Sequence, residues 1–241
     1  MIDTHCHIIP GIDDGARDMD AALALLAMAE ADGTTRMVLT PHIQFGRFDN
    51  THADIQHRLI ALQQAAHEAG IGIELRAAAE VRLDSEILSL VAQKTLPFYG
   101  EHDGQHFMLL ELPHNSIPPG SDALVKYLRN NNITPVIAHP ERNRALLERP
   151  NLIQQFVRLG CWFQVTAGSI TGQFGRDSKA LAEQYLQQGI INIIASDCHN
   201  TDYRPPILSN AYQAVVELLG VEAAQTLFID NPHKITASMF E

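Results

Sequence analysis

The sequence has few of the features that mark secreted, membrane or disulfide-rich proteins. Its three cysteines, Cys6, Cys161 and Cys198, are an odd number without zinc-ribbon spacing, which predicts neither a disulfide framework nor a thiolate metal site. No apolar run approaches the roughly 18 residues of a membrane span. The first polar motif begins at residue 3, which leaves no room for a removable signal peptide. We therefore expect a cytoplasmic globular protein without membrane insertion.

Basic residues are also scarce. The chain has 17 lysines and arginines against 28 aspartates and glutamates, and its formal charge is −11. Binding to nucleic acid depends on clustered basic side chains, so this balance argues against such a partner. A protein or small-molecule substrate is expected instead.

Two histidines in the first fifteen residues predict one side of a polar site. Side chains of an extended strand alternate between faces, so His5 and His7 share a face with Asp3, which we expect to orient one of them. A Pro-Gly pair then ends the strand. The following turn, Asp13-Asp14-Gly15, is suited to bring carboxylates back over the strand end. The remaining groups of the site must come from elsewhere in the chain.

Strand and helix patterns alternate along the whole chain. Short apolar strands alternate with segments of helical periodicity, several of which end at a glycine. This alternation indicates a parallel sheet covered by helices. About seven such units, without a linker or repeat, predict an α/β barrel in one domain over residues 1–241. The segment Leu96 to Gln105 is predicted to be irregular.

Histidine and carboxylate side chains follow the ends of the predicted strands. Functional side chains of (β/α) barrels project from these carboxyl ends, so we expect the residues to meet in one site. They are His5, His7, His42, Glu80, Glu111, His139, Asp197 and His199. Imidazoles with carboxylates and without sulfur suit Mn²⁺, Fe²⁺ or Zn²⁺ in open sites. Because the set exceeds what one ion binds, it predicts two or three metal ions, with Glu80 as a bridging ligand.

Two arginines lie shortly after strand ends. Arg142 is three residues beyond His139, and Arg204 is five beyond His199. A guanidinium offers phosphate oxygens a planar fork and stabilises charge that develops in the transition state. From spacing alone, either arginine could equally belong to a surface ion pair. Together with a metal cluster that activates water, they predict phosphoester hydrolysis, with Arg142 and Arg204 as catalytic residues.

Several motifs together resemble the PHP (polymerase and histidinol phosphatase) superfamily. They are D-x-H-x-H, T-P-H, A-H-P-E-R and S-D-x-H, with the isolated Glu80 and Glu111. More narrowly, H-C-H-I-I-P-G-I-D-D-G, A-S-D-C-H-N, R-P-P and a late N-P look like the CpsB-type, manganese-dependent protein-tyrosine phosphatases of bacterial capsule and exopolysaccharide clusters. The resemblance covers essentially the whole chain. It implies a distorted (β/α)₇ barrel of the PHP type with a trinuclear metal site.

The resemblance also implies roles for particular residues. The eight residues at strand ends and Asp14 would be metal ligands, and Arg142 and Arg204 would hold phosphate. Related sequences often carry an aromatic residue where this chain has Asn143, which leaves the shape of the substrate mouth open.

The activity implied by the resemblance is removal of phosphate from phosphotyrosine on a protein. The expected substrate is the tyrosine-rich tail of a bacterial membrane tyrosine autokinase that regulates capsule or exopolysaccharide. The expected cofactors are two or three divalent ions, Mn²⁺ first, with Fe²⁺ and Zn²⁺ as alternatives because the same ligands hold all three. Histidinol-phosphate phosphatase, or another small-molecule phosphoesterase of the superfamily, shares metals and mechanism and is the alternative. The general acid and the oligomeric state stay open.

Three other interpretations are weaker. Cys198 to Arg204 matches the C-x₅-R signature of cysteine-dependent phosphatases, but no glycine lies between them and Pro205-Pro206 follow, so nothing there would lower the thiol pKa. Amidohydrolases also begin with H-x-H but commonly use a lysine at a strand end, and no predicted strand ends in one. A catalytically silent module that binds a kinase tail does not require the complete ligand set and both arginines.

One loop next to the predicted site is left undecided. Phe45, Arg47 and Phe48 follow His42 and could form a rim that selects an aromatic phosphoester, or they could simply pack locally.

Overall fold

A computed structural model describes residues 1–241. Its strands are β1 (Ile2–Asp3), β2 (Arg36–Leu39), β3 (His42–Ile43), β4 (Glu74–Ala77), β5 (Glu80–Arg82), β6 (Gly100–His102), β7 (Gln105–Glu111), β8 (Ile133–Ala138), β9 (Trp162–Thr166) and β10 (Ile193–Ala195). Its α-helices are α1 (Met19–Ala31), α2 (His52–Glu68), α3 (Ile87–Gln93), α4 (Ser121–Asn130), α5 (Arg144–Glu148), α6 (Gln154–Arg158), α7 (Ala167–Ile170), α8 (Arg176–Gln187), α9 (Ser209–Leu219), α10 (Val221–Gln225) and α11 (Asn231–Phe240). Short 3₁₀ turns cover Pro140–Arg142 and Pro150–Ile153, and a π turn covers Thr226–Asp230.

The parallel strands form a closed ring. One sheet has the order β1-β2-β4 and the other β10-β9-β8-β7-β5-β3. Two strands of the ring are each interrupted by two residues: β3 continues β2 beyond Pro41, and β5 continues β4. A parallel bridge between Cys6 and Cys198 joins the extension of β1 to that of β10. Counted in this way the ring has seven parallel strands, which confirms the predicted distorted (β/α)₇ barrel of the PHP type.

Apolar side chains fill both layers of the barrel. A cluster of 51 buried residues lies between the strands and the surrounding helices. A second cluster of nine combines alternate strand residues such as Val38, Leu109 and Val136 with Tyr99 and with Ile235 of α11. Because residues two apart on a strand share a face, this second cluster is the barrel interior. Helix starts are fixed locally: Asp18 caps α1, and Thr51 with Asp54 forms a capping box at α2.

The prediction of irregular structure is wrong for one segment. The stretch Leu96 to Gln105 contains β6, which pairs antiparallel with β7. The turn between them uses Asp103 and Gly104, both with positive φ, at +52° and +71°. An Asp-Gly pair is the usual sequence of a two-residue hairpin turn, so the signal was present in the sequence. None of the helices combines the length and apolar character required to cross a bilayer.

Candidate metal centre

The carboxyl ends of the strands surround a cavity of about 270 Å³. Its lining contains no apolar residue and includes nine of the eleven predicted site residues, all except His5 and His7. These two histidines are fully buried and contact carboxylates of the lining. The structure therefore brings all the predicted site residues together, although they are spread from residue 5 to residue 204.

Glu80 lies at the centre of this arrangement. Its Oε2 is 3.3 Å from Nε2 of both His5 and His7 and 3.1 Å from Nδ1 of His42. Its Oε1 is 2.8 Å from Nε2 of His139. A carboxylate surrounded by four imidazoles has the position that the predicted bridging ligand requires.

The buried imidazoles are held by partners on their far side. Nδ1 of His5 is 2.7 Å from Oε1 of Gln164, and Nδ1 of His7 is 2.8 Å from Oδ2 of Asp13. When Nδ1 donates to these oxygens, Nε2 of each ring is left with a free lone pair directed at the cavity. The two Nε2 atoms are only 3.2 Å apart, which suits shared or neighbouring cations.

The role predicted for Asp3 is wrong in its detail. Its carboxylate accepts hydrogen bonds from the backbone and hydroxyl of Ser196 and from the backbone N–H of His5, and it touches no imidazole ring. Asp13 orients His7 instead. The turn that carries Asp13 fits closely because Gly15 has no side chain: a Cβ there would lie 1.9 Å from the carbonyl oxygen of His7.

The predicted ligand atoms form four overlapping groups, each with its donor atoms within 4.8 Å of one another. Together the groups contain all nine residues: His7, Asp14, His42 and His199; His5, His7 and Glu80; His5, His139 and Asp197; and His42, Glu80 and Glu111. Two buried atoms of this ligand set, Nδ1 of His42 and Oε2 of Glu111, form no hydrogen bond. Buried polar atoms are rarely left without a partner, so these two atoms suit the role of metal ligands. The residues present fit several divalent metal ions.

The protonation states also suit cations. Burial would raise the pKa of Asp197 and Glu80, but the neighbouring imidazoles and arginines outweigh it and hold both well below their usual range. Burial lowers the pKa of His42 and of His139 to about 4. At neutral pH Asp197 and Glu80 are thus ionised, and His42 and His139 are neutral, which are the forms that bind metal. For His5, burial is outweighed by Asp197 and Glu80, which raise its pKa, so positive charge is favoured at this point.

Two of the five non-glycine residues with a positive φ belong to this site. His139 has a φ of +31° and Asp197 a φ of +53°, and neither is a glycine. Such conformations cost about 1–3 kcal/mol each and persist only where the surrounding structure imposes them. Both turns aim a polar side chain into the cavity immediately after a strand.

Arg142 and Arg204 share one carboxylate oxygen. Both guanidiniums contact Oδ2 of Asp197, and their side chains are only 16% and 24% exposed. They are therefore not members of a surface ion pair. The ring of Phe174 lies beneath them, with its centroid 4.3 Å from Cζ of Arg142 and 5.8 Å from Cζ of Arg204. A Cβ on Gly168 would come within 2.9 Å of this ring, so Gly168 makes room for it.

The loop after His42 contributes a cation and not an aromatic rim. Phe48 stacks on the ring of His42 at a centroid distance of 5.4 Å and packs locally, whereas Phe45 does not line the cavity. Arg47 lies over Phe48, approaches Asp14 at 3.6 Å and lines the cavity. Asn143 does not shape the mouth of the substrate site. It is buried, and its side chain caps the start of α5.

Several residues of the site lay outside the sequence prediction. Gln164 had a signal, since it is a polar residue between apolar neighbours in a strand, and Asp13 belongs to the turn expected to carry carboxylates over the strand end, although no partner was assigned to it. Arg82, which is 2.6 Å from Glu111, and His114 also line the cavity. Phe174 lies in a loop, and no pattern marked it.

The structure argues against a cysteine nucleophile. Cys198 is fully buried in the main core, beside Cys6. The loop that follows is organised around Asn200, whose side-chain oxygen accepts the backbone N–H groups of Asp202, Tyr203 and Arg204. These N–H groups cannot form an anion cradle around a thiolate, so the C-x₅-R match is a coincidence of spacing.

A parallel barrel with a histidine and carboxylate cluster at the carboxyl ends of its strands defines the class of barrel metallohydrolases. Within that class, a model of the capsular polysaccharide synthesis family CpsB/CapC matches residues 1–237. The chain belongs to the CpsB/CapC family, which is the PHP-type group that its sequence motifs resemble.

Characterised relatives agree with this assignment. The chain is 32% identical to tyrosine-protein phosphatase YwqE of Bacillus subtilis over 204 residues, 85% of this chain and 79% of the relative. It is 29% identical to tyrosine-protein phosphatase CpsB of Streptococcus pneumoniae over 240 residues, 98% of both chains. A chain from the crystal structures of YwqE and CpsB, described as unique metal-dependent tyrosine phosphatases, superposes with a TM-score of 0.92 at 29% identity and covers 99% of this chain and 95% of its own length.

Proposed function

We propose that this protein is a metal-dependent protein-tyrosine phosphatase that acts on a bacterial tyrosine autokinase in the control of capsule or exopolysaccharide synthesis. The observation that carries the proposal is the pairing of Arg142 and Arg204 on Asp197, next to nine converging metal-donor side chains in one polar cavity. The relatives named as tyrosine-protein phosphatases and the capsular polysaccharide family support it. Phosphorylation of such a kinase requires ATP, which favours the cytoplasm as the place of reaction.

Two or three divalent metal ions are the proposed cofactors, with Mn²⁺ first and Fe²⁺ or Zn²⁺ as alternatives. The ligands would be His5, His7, Asp14, His42, Glu80, Glu111, His139, Asp197 and His199. When bound, such ions lower the pKa of water and neutralise charge on phosphoryl oxygens. The four donor groups share residues, and Glu80 has a place where it can bridge.

The protein's own side chains supply binding and orientation. Arg142 and Arg204 would hold the phosphoryl oxygens as charge builds up on them in the transition state. Asp197 fixes both guanidiniums before substrate arrives, so little reorganisation is required. Gln164 and Asp13 keep the rings of His5 and His7 in the tautomer that leaves Nε2 free for metal.

The first test compares substrates. We expect the purified protein to hydrolyse a phosphotyrosine peptide, to lose this activity with a chelator, and to regain it most fully with Mn²⁺. Metal analysis of the protein as isolated identifies the native ion. A clear preference for histidinol phosphate over the phosphotyrosine peptide would overturn the substrate assignment in favour of a small-molecule phosphatase.

The second test addresses the site itself. His5→Ala and His199→Ala should each abolish turnover and reduce bound metal. His57, on the exposed face of α2, offers a matched control, because His57→Ala removes an imidazole far from the cavity. Unchanged turnover in both site variants would refute the proposed metal centre.

A further inference from the structure

A groove of about 480 Å³ borders the active-site cavity on the side of α1. Ala21, Ala24 and Leu25 of α1 form one wall, and the segment from His199 to Asp202 forms the other. His199 lines both this groove and the cavity of the metal centre, so the two spaces adjoin at this side chain. We call this feature the α1 groove, and its volume is within the range of roughly 300–1,000 Å³ typical of ligand sites.

The active-site cavity alone cannot account for recognition of a polypeptide. Its lining is entirely polar and suits a phosphoryl group, but it offers no apolar surface to the residues next to a phosphotyrosine. An extended chain advances about 3.3 Å per residue, so these neighbours must lie on surface adjoining the cavity. The α1 groove has small and apolar side chains in the required place.

Other cavities fit this role less well. The cavity that adjoins the site through Arg204 has a volume of only about 130 Å³. A groove of about 430 Å³ beside α4 is nearly as large as the α1 groove but shares no residue with the active-site cavity. Its volume and its shared boundary with the site at His199 together therefore single out the α1 groove.

The charges of the α1 groove indicate what binds there. Asp20 and Asp202 are exposed and line it, and neither forms an ion pair. Its one basic side chain, Arg17, pairs with the adjacent Asp18. Two unpaired carboxylates beside an apolar wall complement a basic side chain with a long aliphatic stem.

We propose that the α1 groove binds the substrate polypeptide next to the phosphotyrosine, with preference for a lysine or arginine in that segment. This inference rests on the proposed phosphatase function and extends it from the phosphate to the flanking chain. It assigns Ala24, Asp20 and Asp202 to substrate recognition, whereas the chemistry stays with the metal centre.

A pair of matched variants tests the groove. Ala24→Arg fills the α1 groove, and Ala123→Arg makes the same change at an exposed alanine of α4 in the remote groove. Arginine is a good helix former, so both helices should tolerate it. Each variant is assayed with a phosphotyrosine peptide and with p-nitrophenyl phosphate, which has no flanking chain.

We expect Ala24→Arg to lower kcat/KM for the peptide by about fivefold or more while leaving p-nitrophenyl phosphate hydrolysis unchanged, because interface residues that matter commonly contribute at least this much. Ala123→Arg should leave both substrates unchanged. An equal effect of the two variants on the peptide, or an equal loss with both substrates for Ala24→Arg, would overturn the inference. A change of oligomeric mass in Ala24→Arg would overturn it too, because the groove would then be a contact between copies of the chain.

A second experiment tests the charge preference. The wild type should favour a peptide with lysine beside the phosphotyrosine over the matched alanine peptide, and the double variant Asp20→Asn with Asp202→Asn should lose this preference. A preference that survives in the double variant, or is absent in the wild type, would refute the assignment of the carboxylates. If the wild type hydrolyses p-nitrophenyl phosphate but no phosphotyrosine peptide, the proposed function fails, which is a result distinct from failure of the groove.

Discussion

Replacement of Phe174 by leucine should weaken phosphate binding without disturbing the metal centre. The ring of Phe174 lies beneath the two guanidiniums that contact Asp197, at 4.3 Å from Arg142 and 5.8 Å from Arg204. Two like charges that share one carboxylate oxygen repel each other, and the negative face of an aromatic ring offsets part of that repulsion. Leucine keeps the apolar bulk but has no such face.

The size of the effect follows from the two distances. A cation–π contact contributes about 0.5–1 kcal/mol at exposed sites and about 2 kcal/mol when desolvated. Arg142 is mostly buried and close to the ring, so it belongs near the upper value. Arg204 is close to the 6 Å limit and belongs near the lower value. The sum of roughly 1.5–2.5 kcal/mol corresponds to a loss of about 10- to 60-fold in kcat/KM.

The chain provides a matched control at Phe240. Its ring also lies against two guanidiniums, those of Arg36 and Arg76, with Cζ atoms 5.1 and 5.0 Å from the centroid, and none of the three lines the active-site cavity. Phe174→Leu and Phe240→Leu are compared for kcat/KM, for inhibition by inorganic phosphate and for metal content. We expect weaker phosphate inhibition and lower kcat/KM only in Phe174→Leu, with Phe174→Tyr close to the wild type and metal content unchanged throughout. Equal behaviour of the two leucine variants, or full activity in Phe174→Leu, would refute the role of the ring.

Three further predictions follow from the same geometry. Cys198→Ala should retain phosphotyrosine hydrolysis because the thiol is buried in the core, and loss of activity with normal metal content would restore the cysteine mechanism. In metal-free protein, the pKa of folded His139 is about 4, below the ordinary value of about 6.5. The stability that this difference contributes is present above pH 6.5 and is lost as the pH falls towards 4. Urea unfolding should therefore show the stability difference between wild type and His139→Asn shrinking by about 2 kcal/mol from pH 7 to pH 5, whereas a constant difference would contradict that pKa. Removal of metal should increase hydrogen exchange at the amides of His7 and Asp197 more than at β7 and β8, and uniform protection would contradict a metal centre that joins β1 to β10.

The alternation of apolar strands and helices was sufficient to predict the barrel, because each strand is buried on both faces and each helix on one. The interruption of strands at Pro41 could not be predicted in detail, since it depends on how neighbouring strands share hydrogen bonds. His42 and Glu80, expected just beyond strand ends, instead begin the short strands β3 and β5. The side chains still reach the cavity because these strands continue in the same direction.

The predicted donor residues converge in the structure because their position relative to a strand end is a local property that the sequence displays. The residues that hold the donors in place were harder to predict. Gln164 and Asp13 meet their imidazoles across the barrel or across a turn, so their partners are defined only by the closed fold. Phe174 lies on a loop whose path depends on the absence of a side chain at Gly168, and no periodic pattern records such a contact.

The position of the donor residues bears on how the barrel closes. β1 and β10 are short, with two and three residues, and only the bridge between Cys6 and Cys198 joins their extensions. The backbone hydrogen bonds at this seam are few: His7 N–H donates to the Cys198 carbonyl, and Asp197 N–H donates to the His5 carbonyl. The donor side chains His5 and His7 belong to one side of the seam, and Asp197 belongs to the other. Ions shared between them would crosslink the first and last strands of the ring, so metal binding and closure of the barrel are expected to stabilise each other.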